Sequence, residues 1–207
     1  SVGENPFGIS IVIPTFNRLT ECTACVLLLK ARILAPTDLW EVIVVDDGCT
    51  DGTGAYLSEM FKNKGFENFR VVYTNKEPGK YRNAGWAENA GARAAKRTYI
   101  CFCDSDIFHL TDPVTPTLAK LKECSDCVIG GQFYAIFSPH SNINIFTNTL
   151  QVGMVNKDWQ VHPGWMTLSR KLFIDIGGNS ERFTRWGAED IDMWDRLKEL
   201  KLPFYRL

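Results

Sequence analysis

The chain has 207 residues, of which 45% are hydrophobic and 12% aromatic, which is enough to bury one sizeable core. Its formal net charge of −1 excludes the strong basic field with which a protein gathers nucleic acid. The seven cysteines are irregularly spaced, which argues against a disulfide framework and favours a reducing, cytoplasmic compartment. No apolar run reaches the roughly 20 residues that cross a bilayer. We therefore predict no transmembrane segment and leave open a peripheral contact with the inner face of a membrane.

The first half of the chain alternates strand and helix patterns. Buried strands are predicted in the apolar runs GISIVI (ended by Pro14), WEVIVV, FRVVYT and YICFC. Helices are predicted in LTECTACVLLLKARIL, in GCTDGTGAYLSEMF with Asp51 or Thr53 as its cap, and in AGWAENAGARAAKR. This order requires right-handed crossovers. It predicts a three-layer α/β/α fold with a mostly parallel, mixed sheet.

The second half of the chain has a weaker alternation. A helix capped by Asp112, with Pro113 at its first position, is predicted in LTDPVTPTLAKLKEC, and a strand in CVIGGQFYAIF. The polar and aromatic stretch after it has no clear period. GWMTLSRKLFIDIGG predicts a strand and a short helix ended by Gly177 or Gly178, and AEDIDMWDRLKEL predicts an amphipathic helix. LPFYRL resembles the start of a strand, so we expect the chain to continue beyond Leu207.

Polar clusters follow the carboxyl ends of three predicted strands: PTFNR, DDGCTD and DSD. Ligands of open parallel sheets bind outside these strand ends, so the three clusters are expected to meet in one cleft. In the last cluster, Asp104 and Asp106 alternate in direction along the strand, and their oxygens suit Mg²⁺ or Mn²⁺. The alternative is that the two acids only terminate the strand and cap a turn.

Four blocks, in this order, resemble the signatures of family 2 glycosyltransferases with the GT-A fold: SIVIPTFNR, VIVVDDGCTDGT, WAENAGARAAKRTYICFCDSD and GWMTLSRKLFIDIGGNSERFTRWGAEDIDMWDRL. The last block, with its Trp-Gly-x-Glu-Asp, is also similar to galactosyltransferases and to chondroitin polymerases. The resemblance covers about residues 9 to 200. It implies one domain over residues 1–207, with a nucleotide-binding half to about residue 108 and an acceptor and catalytic half from about 109.

The resemblance also implies roles for individual residues in a metal-dependent, inverting transfer from a UDP-sugar to a hydroxyl of a carbohydrate or other acceptor, in polysaccharide or glycan synthesis. Asp190 would be the general base, and Asp104 and Asp106 would hold the Mn²⁺ or Mg²⁺ cofactor. The implied donor-binding residues are Pro14, Thr15, Asp46, Asp47, Arg82, Asp104 and Asp106. The implied acceptor and sugar pocket is formed by Trp165, Trp186, Gly187 and Glu189.

Elementary chemistry is consistent with these roles. A cation can stabilise the charge that collects on a departing diphosphate, and a carboxylate within hydrogen-bond reach can accept the proton of the attacking hydroxyl. Asp190 is predicted near the amino end of a helix, where the helix dipole favours the ionised carboxylate. An acidic first turn is, however, common in helices without any catalytic role.

Two features depart from the family pattern. The family's Ala-Arg-Asn before the metal-binding strand is Ala87-Glu88-Asn89 in this chain, so Arg82 or Lys80 would have to take over the contact to the diphosphate. A histidine ligand that many relatives carry beyond the Glu-Asp pair is also missing from the sequence. His109 and His162 are open candidates for a site role, with packing or surface roles as the alternative.

Two other functions remain as alternatives at this point. The first is a non-catalytic sugar-nucleotide-binding module, which would bind UDP without turnover. The second is a nucleotidyltransferase, which should carry a glycine-rich, basic loop after its first strand, and PTFNR lacks that composition. A dinucleotide-dependent dehydrogenase is disfavoured because no Gly-x-Gly-x-x-Gly follows a strand.

Overall fold

The computed structural model describes residues 5–74, 76–80, 83–131, 164–185 and 187–207. The strands of this part are β1 Ile9–Thr15, β2 Trp40–Asp46, β3 Phe69–Tyr73, β4 Tyr99–Cys103, β5 Val128–Gly130, β6 Trp165–Ser169 and β7 Phe204–Arg206. Its α-helices are α1 Leu19–Arg32, α2 Thr53–Asn63, α3 Ala84–Ala94, α4 Val114–Glu123, α5 Arg170–Asp175 and α6 Glu189–Glu199. Arg82, Trp186, His162 and the stretch without a clear period lie outside the described residues.

The strands of the described chain form one sheet in the order β3-β2-β1-β4-β6-β5-β7. The neighbours β3, β2, β1 and β4 are parallel, as the continuous apolar runs predict. The sheet becomes mixed at β6, which runs antiparallel to both β4 and β5, while β7 is parallel to β5. The prediction of a mostly parallel, mixed sheet is confirmed.

Side chains of the central strands alternate between two apolar layers, one on each face of the sheet. In β1, Ile11 and Ile13 face the layer formed by α1, α2 and α4, whereas Val12 faces the layer formed by α3, α5 and α6. All three are fully buried, which accounts for a run of β-branched residues interrupted only by Ser10. The chain therefore has the predicted three-layer α/β/α arrangement.

The ends of some elements differ from the prediction. β1 continues through Pro14 to Thr15, paired with β2, although Pro14 was expected to end it. A proline is accommodated there because the pairing of β1 with β4 has already ended at Val12, so no backbone N–H is needed on that side. None of the helices in the described residues is both long and apolar enough to cross a membrane.

The helix caps are shifted by a residue or two. Gly52 is the N-cap of α2, and the Asp51 carboxylate accepts hydrogen bonds from the backbone N–H and the hydroxyl of Thr53. α4 begins at Val114, one residue later than predicted, and the Asp112 side chain accepts from its first N–H groups. α5 ends at Asp175, before the predicted glycines. They form a Schellman motif in which the N–H of Gly178 bonds the Phe173 carbonyl, and Gly177 adopts a φ of 91°.

Candidate active site

Acidic side chains from two distant parts of the sequence meet at the carboxyl end of β4. Asp104 and Asp106 follow β4, while Glu189 and Asp190 begin α6. The pKa of Asp104 is raised to about 7, first by burial and then by the negative charges of Asp106, Asp190 and Glu189. Charges raise one another's pKa in this way only over short distances. The structure thus brings the Asp-x-Asp pair and the Glu-Asp pair to one site.

Glu88 adds a further acid to this cluster. It lies on α3, its Oε2 accepts a hydrogen bond from Asn179 Nδ2, and its pKa is raised to about 8. Burial is the main cause, followed by the charges of Asp104 and Glu189. Lys80, considered as a substitute for the family's arginine at this place, forms an exposed ion pair with Glu77. With a pKa of about 8, Glu88 is mostly protonated at neutral pH, so an uncharged acid stands where the family pattern has an arginine.

The acidic cluster has a cationic neighbour, Arg18, at the start of α1. Its Nη1 donates to Asp106 Oδ2 over 2.6 Å, and both side chains are about half exposed, at 49% and 46%. The positive charge of Arg18 also acts on Asp104, where it opposes the rise in pKa. Sequence reasoning did not identify Arg18, although the residue stands in the polar cluster PTFNR.

The donor set fits a divalent cation held by few protein ligands. Asp104 and Asp106 offer carboxylate oxygens, and the pKa of Asp104 is raised first by burial and then by neighbouring negative charges, which a cation would offset. Among the described residues, no three or more His, Cys, Asp or Glu side chains group as a metal cage. Mg²⁺ and Mn²⁺ sites commonly use one or two carboxylates, with water and phosphate oxygens completing the shell.

His109 packs into the apolar core beneath the acids. Its ring makes an edge contact with Trp165, with 4.6 Å between ring centroids, and Nε2 lies 3.7 Å from Cys103 Sγ. Burial lowers the pKa of His109 to about 4. Trp165 is only 3% exposed, so its ring is inaccessible in this arrangement, and its role in the acceptor pocket stays a prediction. Both rings support the end of β4 from below.

The two acids that follow β2 have different surroundings. Asp46 binds its own loop: Oδ1 accepts from the N–H of Cys49 and Oδ2 from the N–H of Gly54. The helix comes so close to this carboxylate that a Cβ on Gly54 would lie 2.2 Å from Oδ2. Asp46 therefore shapes the turn between β2 and α2, and its direct contact with a base stays a prediction.

Asp47 faces the loop that follows β3. Its Oδ1 accepts from the hydroxyl of Thr74 over 2.7 Å, and Lys76 Nζ lies 3.0 Å from Oδ2. Lys76 Nζ also lies 3.9 Å from the ring centroid of Phe16. The Asp47 and Lys76 side chains are 5% and 6% exposed. A lysine and a carboxylate thus form a buried ion pair beside the β1 and β2 ends.

The loop after β1 is tied to the loop after β2. Asn17, whose φ is 53°, accepts the N–H of Thr50 through its side-chain oxygen over 2.7 Å. The backbone N–H of Leu19 donates to Asp51 Oδ2 over 3.1 Å. Arg18 lies between these two contacts, so its backbone is fixed while its side chain extends toward Asp106. Pro14 and Thr15 are the last two residues of β1, just before this loop, and Thr15 is buried.

Asn83 anchors the start of α6 to the start of α3. The residue is fully buried, and its Oδ1 caps α3 by accepting the N–H of Gly85. Its Nδ2 donates to Glu189 Oε2 over 2.6 Å and to the carbonyl of Arg185 over 2.8 Å. Sequence spacing suggests an asparagine cap at this point, but no local pattern indicates a contact across so much of the chain.

The turn before α6 has an unusual backbone. Gly187 and Ala188 both have positive φ, 87° and 74°, and alanine rarely adopts this conformation. Such backbone strain persists where the surroundings hold it, and Asn83 supplies contacts on both sides of the turn. Asp190, one residue into the helix, is partly exposed, and its Oδ1 accepts the N–H of Ile191. Asp190 lies close enough to Asp104 for its charge to raise the pKa of that carboxyl.

A mostly parallel sheet with an Asp-x-Asp pair at the end of β4 and a Glu-Asp pair at the start of α6 defines a GT-A glycosyltransferase. Residues 10–179 match the family profile "Glycosyl transferase family 2". The chain belongs to this family, as its sequence blocks indicated.

Curated relatives are glycosyltransferases as well. Validoxylamine A glucosyltransferase of Streptomyces hygroscopicus subsp. limoneus is 28% identical over 94% of this chain and 49% of its own length. Chondroitin synthase of Escherichia coli is 27% identical over 92% of this chain and 32% of its own length. The chain thus spans about half or less of the length of these relatives.

Solved structures share the fold. S. aureus TarS in complex with UDP superposes with a TM-score of 0.67 at 22% identity, over 89% of this chain and 53% of that protein chain. The mannosyltransferase PcManGT of Pyrobaculum calidifontis, in complex with GDP-Man and Mn²⁺, gives a TM-score of 0.68 at 17% identity, over 98% and 55% of the two chains. At these identities the likeness establishes the fold alone.

Proposed function

We propose that this chain transfers a sugar from a UDP-sugar to a hydroxyl of a carbohydrate or other acceptor, with inversion at the anomeric carbon, in polysaccharide or glycan synthesis. The observation that carries the proposal is the meeting of Asp104, Asp106 and Asp190 in one acidic cluster. A binding role alone would not require a base beside a site for a diphosphate and its cation. A cytoplasmic location, with or without contact to a membrane surface, stays a prediction.

Each acid has a defined task in the proposed reaction. Asp190 accepts the proton of the acceptor hydroxyl as that oxygen bonds to the anomeric carbon. The bond from this carbon to the phosphate oxygen breaks, and its electron pair leaves with the diphosphate. Asp104 and Asp106 would hold a divalent cation, which when bound stabilises the charge on the leaving diphosphate. PcManGT, which was solved with Mn²⁺, supports a cation in this fold.

The Asp47–Lys76 pair supports a nucleotide with a keto base. Lysine only donates hydrogen bonds, and an ionised carboxylate only accepts them. Uracil offers a carbonyl beside an N–H, which matches Lys76 and Asp47, and guanine offers the same pattern. In cytosine and adenine an exocyclic amino group donates and a ring nitrogen accepts, so these bases fit the pair only in the opposite orientation. We propose uracil as the base, because TarS, with the same fold, binds UDP.

A donor screen tests the proposal. The thermal shift of the chain with UDP, GDP, CDP and ADP, each with Mn²⁺ and with EDTA, should be largest for UDP with Mn²⁺. UDP release from a panel of UDP-sugars with candidate acceptors should then identify the transferred sugar. Binding of UDP without any release across the panel would favour the non-catalytic module instead. Binding of none of the nucleotides would contradict the proposed function itself.

A matched pair of variants on α6 tests the general base. Asp190→Asn should abolish transfer while UDP binding, measured by calorimetry, stays nearly unchanged. Asp195→Asn is the control, because Asp195 lies on the same helix but is exposed and paired only loosely with Lys198, over 3.4 Å. Unchanged turnover in Asp190→Asn would exclude Asp190 as the base.

A further inference from the structure

Arg18 pairs with Asp106, one of the two carboxylates expected to bind the divalent cation. Its guanidinium pairs with Asp106 over 2.6 Å, and its charge opposes the three acids that raise the pKa of Asp104. Among the described residues whose charges act most on Asp104, Arg18 is the positive one. A divalent cation that takes Asp106 Oδ2 as a ligand places its positive charge directly beside this guanidinium, and the repulsion between the two favours release of Arg18.

The loop geometry lets the side chain move without its backbone. Asn17 and Leu19, on either side of Arg18, are each hydrogen-bonded to the loop after β2. The Arg18 side chain itself is about half exposed, and it pairs with Asp106. A guanidinium binds carboxylates and phosphates with the same planar set of donors. A released Arg18 therefore carries the chemistry to bind the ligand that arrives with the cation.

We propose that Arg18 exchanges partners during donor binding. Without a cation it neutralises Asp106, and when a divalent cation occupies Asp106 it binds a phosphate oxygen of the nucleoside diphosphate. This inference rests on the proposed function, since it requires a diphosphate ligand. The cation releases Arg18 from Asp106, and the nucleotide binds the released side chain. Each ligand is therefore expected to raise the affinity of the other. Arg18 is then a positioning residue for the donor and competes with the cation.

The test is a binding cycle on the intact chain. Mn²⁺ affinity is measured by electron paramagnetic resonance of free Mn²⁺ without nucleotide, and UDP affinity by calorimetry with Mn²⁺ and with EDTA. Arg18→Ala should tighten Mn²⁺ binding two- to fivefold, about the range of an exposed ion pair. It should weaken UDP binding in Mn²⁺ about tenfold or more, as expected for a lost charge-assisted hydrogen bond. Arg18→Lys, which keeps the charge but not the planar donors, should lie between wild type and Arg18→Ala.

Arg32→Ala is the matched control. Arg32 lies at the other end of α1 and is exposed, so its removal changes net charge equally without touching the acids. The inference is overturned if Arg18→Ala leaves Mn²⁺ affinity unchanged or lowers it, or if UDP affinity in Mn²⁺ matches that of Arg32→Ala. If the wild-type chain binds no UDP at all, the proposed function fails rather than the role of Arg18. Should Arg18→Ala fail to fold, Arg18→Lys carries the same comparison.

Discussion

Replacing Asn83 by alanine is expected to lower the free energy of unfolding by about 3 kcal/mol. The N-cap of α3 contributes about 1 kcal/mol, and the two long-range hydrogen bonds to Glu189 and the Arg185 carbonyl contribute about 1 kcal/mol each. Because the same bonds hold the turn before α6, Asp190 should lose its orientation as well. We therefore expect kcat to fall by at least tenfold, with a smaller change in UDP affinity.

Asn83→Asp distinguishes the N-cap of α3 from the hydrogen bond that Asn83 donates to Glu189. Aspartate caps a helix as well as asparagine does, but it places a carboxylate oxygen where Nδ2 now donates to Glu189. We expect Asn83→Asp to be at least as unstable as Asn83→Ala at pH 8 and to regain stability as the pH falls and a proton restores a donor. Asn63→Ala, at the exposed end of α2, is the control. Urea denaturation followed by tryptophan fluorescence gives the free energies. Wild-type stability in Asn83→Asp would refute the reasoning.

The remaining predictions concern charge and packing. The pKa of Glu88 is raised from 4.5 to about 8, so its contribution to stability is present below about pH 4.5 and is lost as the pH rises to about 8. Glu88→Gln should flatten the dependence of the free energy of unfolding on pH in this window. An unchanged slope would contradict this prediction. Gly54→Ala should lower the free energy of unfolding by more than 2 kcal/mol, because the new Cβ would lie 2.2 Å from Asp46 Oδ2. Gly177→Ala, which has open space around it but a φ of 91°, should lower it by about 1 kcal/mol in urea denaturation. Equal losses in the two variants would argue against the clash at Gly54. Asp106→Ala should remove the Mn²⁺ dependence of UDP binding in calorimetry, and a retained dependence would exclude it as a ligand.

The apolar patterns predicted the sheet because they report burial on both faces. The runs that became β1, β2 and β4 have no polar residue that faces a core except Ser10 and Glu41, which bond to each other. Since parallel strands share one carboxyl edge, the same patterns also predicted where Asp104 and the other acids would gather. These conclusions need only local sequence and general geometry.

The contacts that adjust the site could not be predicted in the same way. The pairing of Arg18 with Asp106, of Lys76 with Asp47 and of Asn83 with Glu189 depends on loops whose paths are set by tertiary contacts. Nothing in the neighbouring residues specifies which distant carboxylate a lysine or arginine will meet. The burial of Trp165 likewise follows from the position of β6 beside β4, which a local pattern does not reveal.

The position of β6 has a consequence for how the protein is made. β4, which ends in the Asp-x-Asp pair, is flanked on one side by β1 and on the other by β6, a strand encoded far downstream. During translation β4 is an uncovered apolar edge until Trp165–Ser169 leaves the ribosome. An exposed strand edge invites pairing with other chains. The nascent chain up to β4 is thus expected to need shielding by chaperones, and to be a poor candidate for expression as an independent fragment.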